Sequence, residues 1–241
     1  MRFKITVAYD GANYQGFQKQ VNGLGIQTVL ERALKKITKT DVDIVGSGRT
    51  DKGVHALAQV CHFDTVIIMS ESSWLKAINT HLPQDIRVIE VLQVSDDFHA
   101  RFHAVKKSYT YVITRRYDLF QRHHQTYVYY DLDVEIMKSC INDFIGTHDF
   151  YGFSSFVLNK PTVKEIYEVS LIEKGDLIII NFVANGFLKY MVRCMVGTLI
   201  DIGRGHLPES TIKAVLENKD RDKAGQTAKP EGLYLKCVYY E

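Results

Sequence analysis

The chain has 241 residues, 46% of them hydrophobic and 24% charged, enough for one large domain or two packed halves, which sets aside disordered and fibrous architectures. No apolar run reaches the roughly 18–20 residues that a membrane-spanning helix needs, and the opening MRFKITVAYDG alternates as a strand does, so a soluble, cytosolic protein with no membrane partner is expected. The net charge of +2 does not announce a nucleic-acid partner, and Cys61, Cys140, Cys194 and Cys237 have neither the close spacing of thiolate metal ligands nor a secretory context for disulfides.

Residues 2–9 alternate as a strand, and Ile26, Val29, Leu30, Ala33, Leu34 and Ile37 then recur on one helix face. Strand patterns at Asp43 to Val45 and Val54 to Phe63 bracket Gly46-Ser47-Gly48-Arg49-Thr50-Asp51-Lys52-Gly53. Its three glycines predict a loop with conformations closed to other residues. A short helix around Trp74 to Leu82 leads to strands near Arg87 to Val94 and at Ser108 to Thr114. Further on, Asp133 is placed to N-cap a helix from Val134 to Ile145, and strands follow at Glu168 to Ile172 and Leu177 to Val183. Helical patterns cover Phe187 to Ile202 and Pro208 to Leu216, and Gly232 to Tyr240 is an apolar, strand-like run.

No short repeat and no low-complexity linker interrupts the chain, so a boundary near residue 105 divides two packed halves, 1–105 and 106–241. Strands joined partly as neighbours and partly through helices favour an α+β fold with mixed, largely antiparallel sheets over a doubly wound parallel sheet.

The most unusual local feature is Gly48-Arg49-Thr50-Asp51-Lys52-Gly53-Val54-His55, in which one carboxylate stands between two cations. Arg49 and Lys52 would favour its ionised form, and an ionised, oriented carboxylate can act as nucleophile or base without a cofactor. The plainer alternative is an ion pair closing a turn. A second feature lies between His99 and His124, where Arg101, Lys106, Lys107, Arg115, Arg116 and Arg122 face Asp118 as the only acid. With Phe102, Tyr109, Tyr111 and Tyr117 interleaved, this stretch suits a phosphate backbone with bases stacking nearby, or else a solvated strand face.

The loop lies within GSGRTDKGVHALAQVCHF, which resembles the signature of TruA-type pseudouridine synthases. The likeness extends in order through VAYDGANYQGFQKQ, LPQDIRV, FHARFHAVKKSYTYVI, GFLKYMVRCMVGTLIDIGRG and AKPEGLYL, nearly the whole chain. It implies two similar packed α/β halves flanking a central cleft, the first carrying the aspartate loop. It also implies a tRNA substrate modified at positions 38, 39 and 40 of the anticodon arm, a homodimer, and chemistry needing no metal or cofactor.

On the same resemblance, Asp51 is the aspartate that attacks the target uridine so that its glycosidic bond breaks, through either C1′ or C6. The detached uracil then turns and rejoins through C5. Tyr109 matches the tyrosine that stacks on the flipped base, and Arg193 a basic residue that holds the aspartate ionised. Arg49 matches an arginine near the flipped nucleotide, while Leu233 and Leu235 fall in the segment that lines the uracil pocket. Arg101, Lys106 and Lys107 are the phosphate-facing candidates in the basic stretch. Phe17, His103 and Lys164 depart from the family's usual tryptophan, small residue and arginine, which leaves the preferred uridine open.

Two other classes remain to be weighed. An RNA-binding protein could share the scaffold without the chemistry, but Asp51, Tyr109 and Arg193 are all present. A nucleoside hydrolase using Asp51 lacks a second clustered carboxylate or a metal-ligand set.

Overall fold

The computed structural model describes residues 1–155 and 161–241. They fall into two compact units, Met1–Val105 with Tyr234–Glu241, and Lys106–Leu233.

The first unit is built on β1 (Arg2–Tyr9), which turns Phe3, Ile5, Val7 and Tyr9 inward on the period of two that a strand imposes. After it come α1 (Ile26–Thr38), β2 (Val45–Gly46), β3 (His55–Asp64), α2 (Glu71–Thr80) and β4 (Ile86–Val94). β1 lies between β3 and β4 and is antiparallel to both, while β2 pairs with the far side of β3 through Val45 opposite His62. α1 buries Ile26, Leu30, Ala33 and Leu34, the face its sequence period predicts. Trp74 of α2 is fully buried against Phe3 and Phe63, with ring centroids 5.7 and 5.4 Å away, so one indole fills the space between helix and sheet. α2 starts three residues before the predicted Trp74 because the Ser70 hydroxyl accepts from the Ser73 amide as an N-cap.

The second unit contains β5 (Ala104–Thr114), β6 (Thr126–Tyr127), α3 (Val134–Cys140), β7 (Gly146–Asp149), β8 (Val163–Lys174), β9 (Leu177–Ala184), α4 (Met191–Gly203) and α5 (Thr211–Asn218). Its sheet runs β5, β9, β8, β7 and is antiparallel throughout, with the short β6 parallel to the end of β5. Gly175, at φ 60°, turns the β8–β9 hairpin in the left-handed conformation that glycine adopts without penalty. Asp133 caps α3 by accepting from the Ile136 amide, as expected, but the α-helix ends at Cys140 and the chain continues to Phe144 as a tighter 3₁₀ turn.

α4 is buried on nearly every side. It begins at Met191 rather than at Phe187, because Tyr190 adopts a left-handed φ of 64° that a continuing helix cannot pass through. The last strand, β10 (Leu233–Tyr240), pairs in parallel with β3 through Tyr234 opposite His55 and Leu235 opposite Ala56. Residues 234–241 therefore group with the first unit, whereas the boundary drawn from the sequence left them in the second half. The architecture is α+β with largely antiparallel sheets. No helix among the described residues is long and apolar enough to cross a membrane.

His62 of β3 is buried, and its Nδ1 accepts from the Ala100 amide at 3.1 Å. Burial, with Arg2 and His99 nearby and only Asp64 opposing them, lowers its pKa from 6.5 to about 4. Below pH 6.5 the unfolded chain takes up the proton first, so this contribution is complete above pH 6.5 and is lost as pH falls toward 4. The excess melting temperature of the wild type over His62→Gln is therefore expected to shrink between pH 7 and pH 4.5 in thermal unfolding. A constant difference across that window would remove His62 as its source.

Candidate active site

In the first unit, the segment from Gly46 to His55 leaves β2 and enters β3, and several polar groups of its backbone are held by the protein around it. The Ser47 amide donates to the Val60 carbonyl at 2.8 Å, and its hydroxyl donates to Gln59 Oε1 at 2.6 Å. Gln59 Nε2 in turn donates to the Gly48 carbonyl at 3.0 Å, and both side chains are buried. Thr50 Oγ1 meets the Tyr9 hydroxyl at 2.8 Å, also away from solvent, while the Thr50 carbonyl accepts from the Phe17 amide at 3.1 Å. The Asp51 carbonyl accepts from the Val54 amide at 3.1 Å, closing a turn in which Gly53 takes φ 75°.

The residues between β1 and α1 press on this loop with no space to spare. Gly16 sits at φ 94°, and a Cβ there would lie 2.5 Å from the Thr50 carbonyl oxygen and 3.1 Å from the Asp51 carbonyl carbon. At Gly11 a Cβ would come within 2.0 Å of the Val54 carbonyl oxygen. Two stretches of main chain thus touch directly, and glycine is the residue that permits it. Asp51 is presented half-buried from a fixed backbone, and Lys52 beside it is exposed. Arg49 is exposed and donates through Nε to Gln18 Oε1 at 2.7 Å, so its guanidinium is tethered to the same bracing segment.

Leu235 is buried next in register to Ala56. Tyr234, its neighbour, stacks on the buried His55 ring at 4.7 Å, and burial pushes the Tyr234 phenol up to about 12. Arg101 lies on an exposed turn, its guanidinium 5.8 Å from the centre of the Phe102 ring.

In the second unit, Tyr109 lies on β5 opposite Phe182 of β9 and meets the ring of Phe187 edge-on at 5.0 Å. Lys106 and Lys107 precede it on the same strand, the first exposed and the second half-buried. Arg193 occupies the first turn of α4. Its Nε donates to the Ala228 carbonyl at 2.7 Å, its own carbonyl accepts from the Ala228 amide at 3.0 Å, and its guanidinium lies 5.0 Å over the Tyr190 ring.

Residues 225–228 are clasped along the rest of α4. The Gly225 amide donates to Thr198 Oγ1 at 2.9 Å and the Gln226 amide to Asp201 Oδ2 at 3.1 Å, and a Cβ at Gly197 would lie 1.6 Å from the Gln226 carbonyl oxygen. That strap runs on to Leu233, which is buried at the start of β10. Arg49 and Asp51 thus share one loop of the first unit, and Arg193 fixes the strap that leads to Leu233 in the second.

A family model described as tRNA pseudouridine synthase matches residues 5–103 and 140–241. The chain belongs to that family. The matched ranges contain Arg49, Asp51, Arg101, Arg193, Leu233 and Leu235, while Lys106, Lys107 and Tyr109 lie in the interval between them. Curated relatives named tRNA pseudouridine synthase A include one from Exiguobacterium sibiricum, 47% identical over 99% of this chain and 96% of its own length. Another, "tRNA pseudouridine synthase A 1" from Bacillus cereus, is 43% identical over 99% and 98% respectively. A solved Cbf5-Nop10-Gar1 complex covers 82% of this chain and 54% of its own with 10% identity and a TM-score of 0.32, too slight a likeness to carry any feature across. Membership makes the chain an isomerase acting on tRNA.

The bracing by Tyr9, Gly11 and Gly16, the Phe187 contact of Tyr109, and the strap on α4 were not foreseen as parts of the site. The glycines of VAYDGANYQGFQKQ were a usable signal, since two of them precede a helix that neither needs. Nothing in the sequence could pair residues 225–228 with α4. Gly16→Ala is expected to displace the backbone of residues 50–52 and lower the single-turnover rate of pseudouridine formation by roughly tenfold to a hundredfold, while tRNA affinity changes little. A rate equal to wild type would show that Asp51 does not depend on this contact.

Proposed function

We propose that the chain converts uridines 38, 39 and 40 of the tRNA anticodon arm to pseudouridine in the cytoplasm, with Asp51 as the nucleophile and no metal or cofactor. The reaction is an isomerisation. The bond from C1′ to N1 breaks, a bond from C1′ to C5 forms, the C5 proton is lost and N1 regains one. No electron is gained or lost overall, so an oriented carboxylate and a pocket that retains the detached uracil are sufficient in principle. The observation that carries the reading is the loop itself: a half-buried carboxylate on a backbone braced from Ser47 to Val54, within the segment that matches the family.

The remaining roles follow the family pattern residue by residue. Tyr109 replaces the stacking partner that the uridine loses on leaving its helix, and its edge contact with Phe187 supports a fixed ring plane. Arg193 holds the nucleophile ionised. Arg49 acts near the flipped nucleotide, on its phosphate or in its place within the stack, and Leu233 and Leu235 line an apolar pocket that excludes water while the glycosidic bond is open. Arg101, Lys106 and Lys107 contact phosphates, and the working form is a homodimer.

Mass-spectrometric mapping of pseudouridine on an unmodified tRNA carrying uridines at 38, 39 and 40 tests the assignment. Wild type is expected to modify those positions, and Asp51→Asn to lose several orders of magnitude in rate at nearly unchanged tRNA affinity. Turnover by Asp51→Asn above about a tenth of wild type would remove Asp51 as the nucleophile. Replacing Lys106 and Lys107 together by alanine is expected to weaken tRNA binding and flatten its dependence on salt by about one unit of log–log slope per lost phosphate contact. An unchanged slope would place both lysines off the phosphate path.

A further inference from the structure

Between the end of β5 and β6 the chain makes an exposed excursion that no role above uses. Its turn is ordered by its own polar groups. Asp118 Oδ1 accepts from the amides of Phe120 and Gln121 at 2.8 and 3.3 Å, and Arg122 Nη1 donates to the Leu119 carbonyl at 2.7 Å. Behind the turn lies a cavity of about 170 Å³ between Tyr117, Asp118, Arg122, Gln125 and Tyr127 on one side and Lys229 with Glu231 on the other. The far wall is tied to β5 and β6. The buried Tyr111 hydroxyl lies 2.7 Å from both the Lys229 carbonyl and Thr126 Oγ1, and a Cβ at Gly232 would meet the Val112 carbonyl oxygen at 2.6 Å.

The chemistry of the walls narrows the occupant. Tyr117 and Tyr127 stand with ring centroids 5.5 Å apart and planes at 69°, so one ring can offer a face where the other offers an edge. Asp118 and Glu231 disfavour a simple anion, Arg122 and Lys229 disfavour a simple cation, and an apolar ligand would cover this charged rim without pairing it. A flat, neutral ring carrying both donors and acceptors on its edge fits the stacking surface and the mixed polar rim, and Gln125 supplies both complements at once.

We infer that this cavity takes an unpaired base of the tRNA substrate, distinct from the target uridine. Unpaired bases are the ones a protein can splay out and stack on aromatic rings. Arg116, exposed and next in sequence to Tyr117, suits a flanking phosphate, and Phe120, 84% exposed on the same turn, offers a further ring to a neighbouring nucleotide. Thr114 of the cavity stands five residues along β5 from Tyr109, about 17 Å at strand spacing, so the captured base belongs to a nucleotide near the target. The inference deepens the reading above, because it rests on tRNA being the substrate.

The test measures tRNA dissociation constants by fluorescence anisotropy with the full chain, using intact tRNA and tRNAs carrying a single abasic residue at each unpaired position in turn. One abasic position is expected to weaken wild-type binding about tenfold and to cost Tyr117→Ala nothing further, with Tyr117→Phe behaving as wild type because the ring is kept. Tyr117 is 56% exposed, so its truncation leaves the core intact. Additive losses at every position, or wild-type affinity of Tyr117→Ala for intact tRNA, would overturn the inference. AMP, GMP, CMP and UMP are titrated separately by equilibrium dialysis. Saturable micromolar binding of one of them, lost in Tyr117→Ala while the abasic losses stay additive, would overturn the tRNA source in favour of a free nucleotide. The cycle reads binding alone, so it stands or falls independently of whether pseudouridine appears at 38, 39 or 40.

Discussion

Contact between two stretches of main chain is the constraint on which the first unit's site depends. Residues 10–18 and 46–55 touch through Gly11 and Gly16, where no side chain has room, and the amides of Phe17 and Gly53 bond across the same seam. A carboxylate that must meet a reacting carbon has to be held to a fraction of an ångström, and side-chain packing alone leaves rotamer freedom that backbone contact removes. The loop keeps three glycines, which make it deformable, yet it is pinned at Ser47, Gly48, Thr50 and Gly53 by partners on β1, on β3 and in the segment before α1. Conformational permissiveness in the sequence and rigidity in the fold are compatible, because glycine allows the close approach that then immobilises it.

The second unit solves a similar problem with a helix. α4 is too apolar to face water, and its buried Thr198 and Asp201 would be costly without partners. Thr198 Oγ1 donates to the Cys194 carbonyl and Asp201 pairs with Arg204, residues 225–228 add the Gly225 and Gln226 amides to them, and Arg193 closes the same strap with a reciprocal pair of bonds to Ala228. Satisfying a buried helix therefore also fixes the segment that leads into Leu233. Tyr190, in a left-handed conformation that costs of order 1–3 kcal/mol for a non-glycine residue, ends the turn before the helix and presents its ring to the Arg193 guanidinium. The strain stands next to a residue assigned to the chemistry.

The departures at Phe17, His103 and Lys164 have unequal standing in the structure. Phe17 is buried and fills the space over Gly46, where a Cβ would lie 2.4 Å from its ring, so the ring belongs to the packing under the loop. His103 is exposed and meets Phe98 edge-on at 6.0 Å, and Lys164 pairs with His148 across β7 and β8. Those two lie outside the core, whereas Phe17 acts through the protein interior.

Much of the fold could be read directly from the residues. Alternation marked β1, strand-like apolar runs marked β3 and β9, the helical period marked α1, and Asp133 announced the start of α3, because each of these signals is local to its own element. Asp51 stood out as a candidate on the same local grounds, since a carboxylate between two cations among glycines is unusual at the level of eight residues. Long-range partnership was not legible. The pairing of β10 with β3 joins residues nearly 180 positions apart in parallel, and no periodicity within either strand carries that information. The same holds for Gly16 against Thr50, Ala228 against Arg193, and Gly232 against Val112. A residue's type limits what it can touch, but which partner it touches is set by the packing of the folded unit, where close approach and hydrogen-bond satisfaction are decided together.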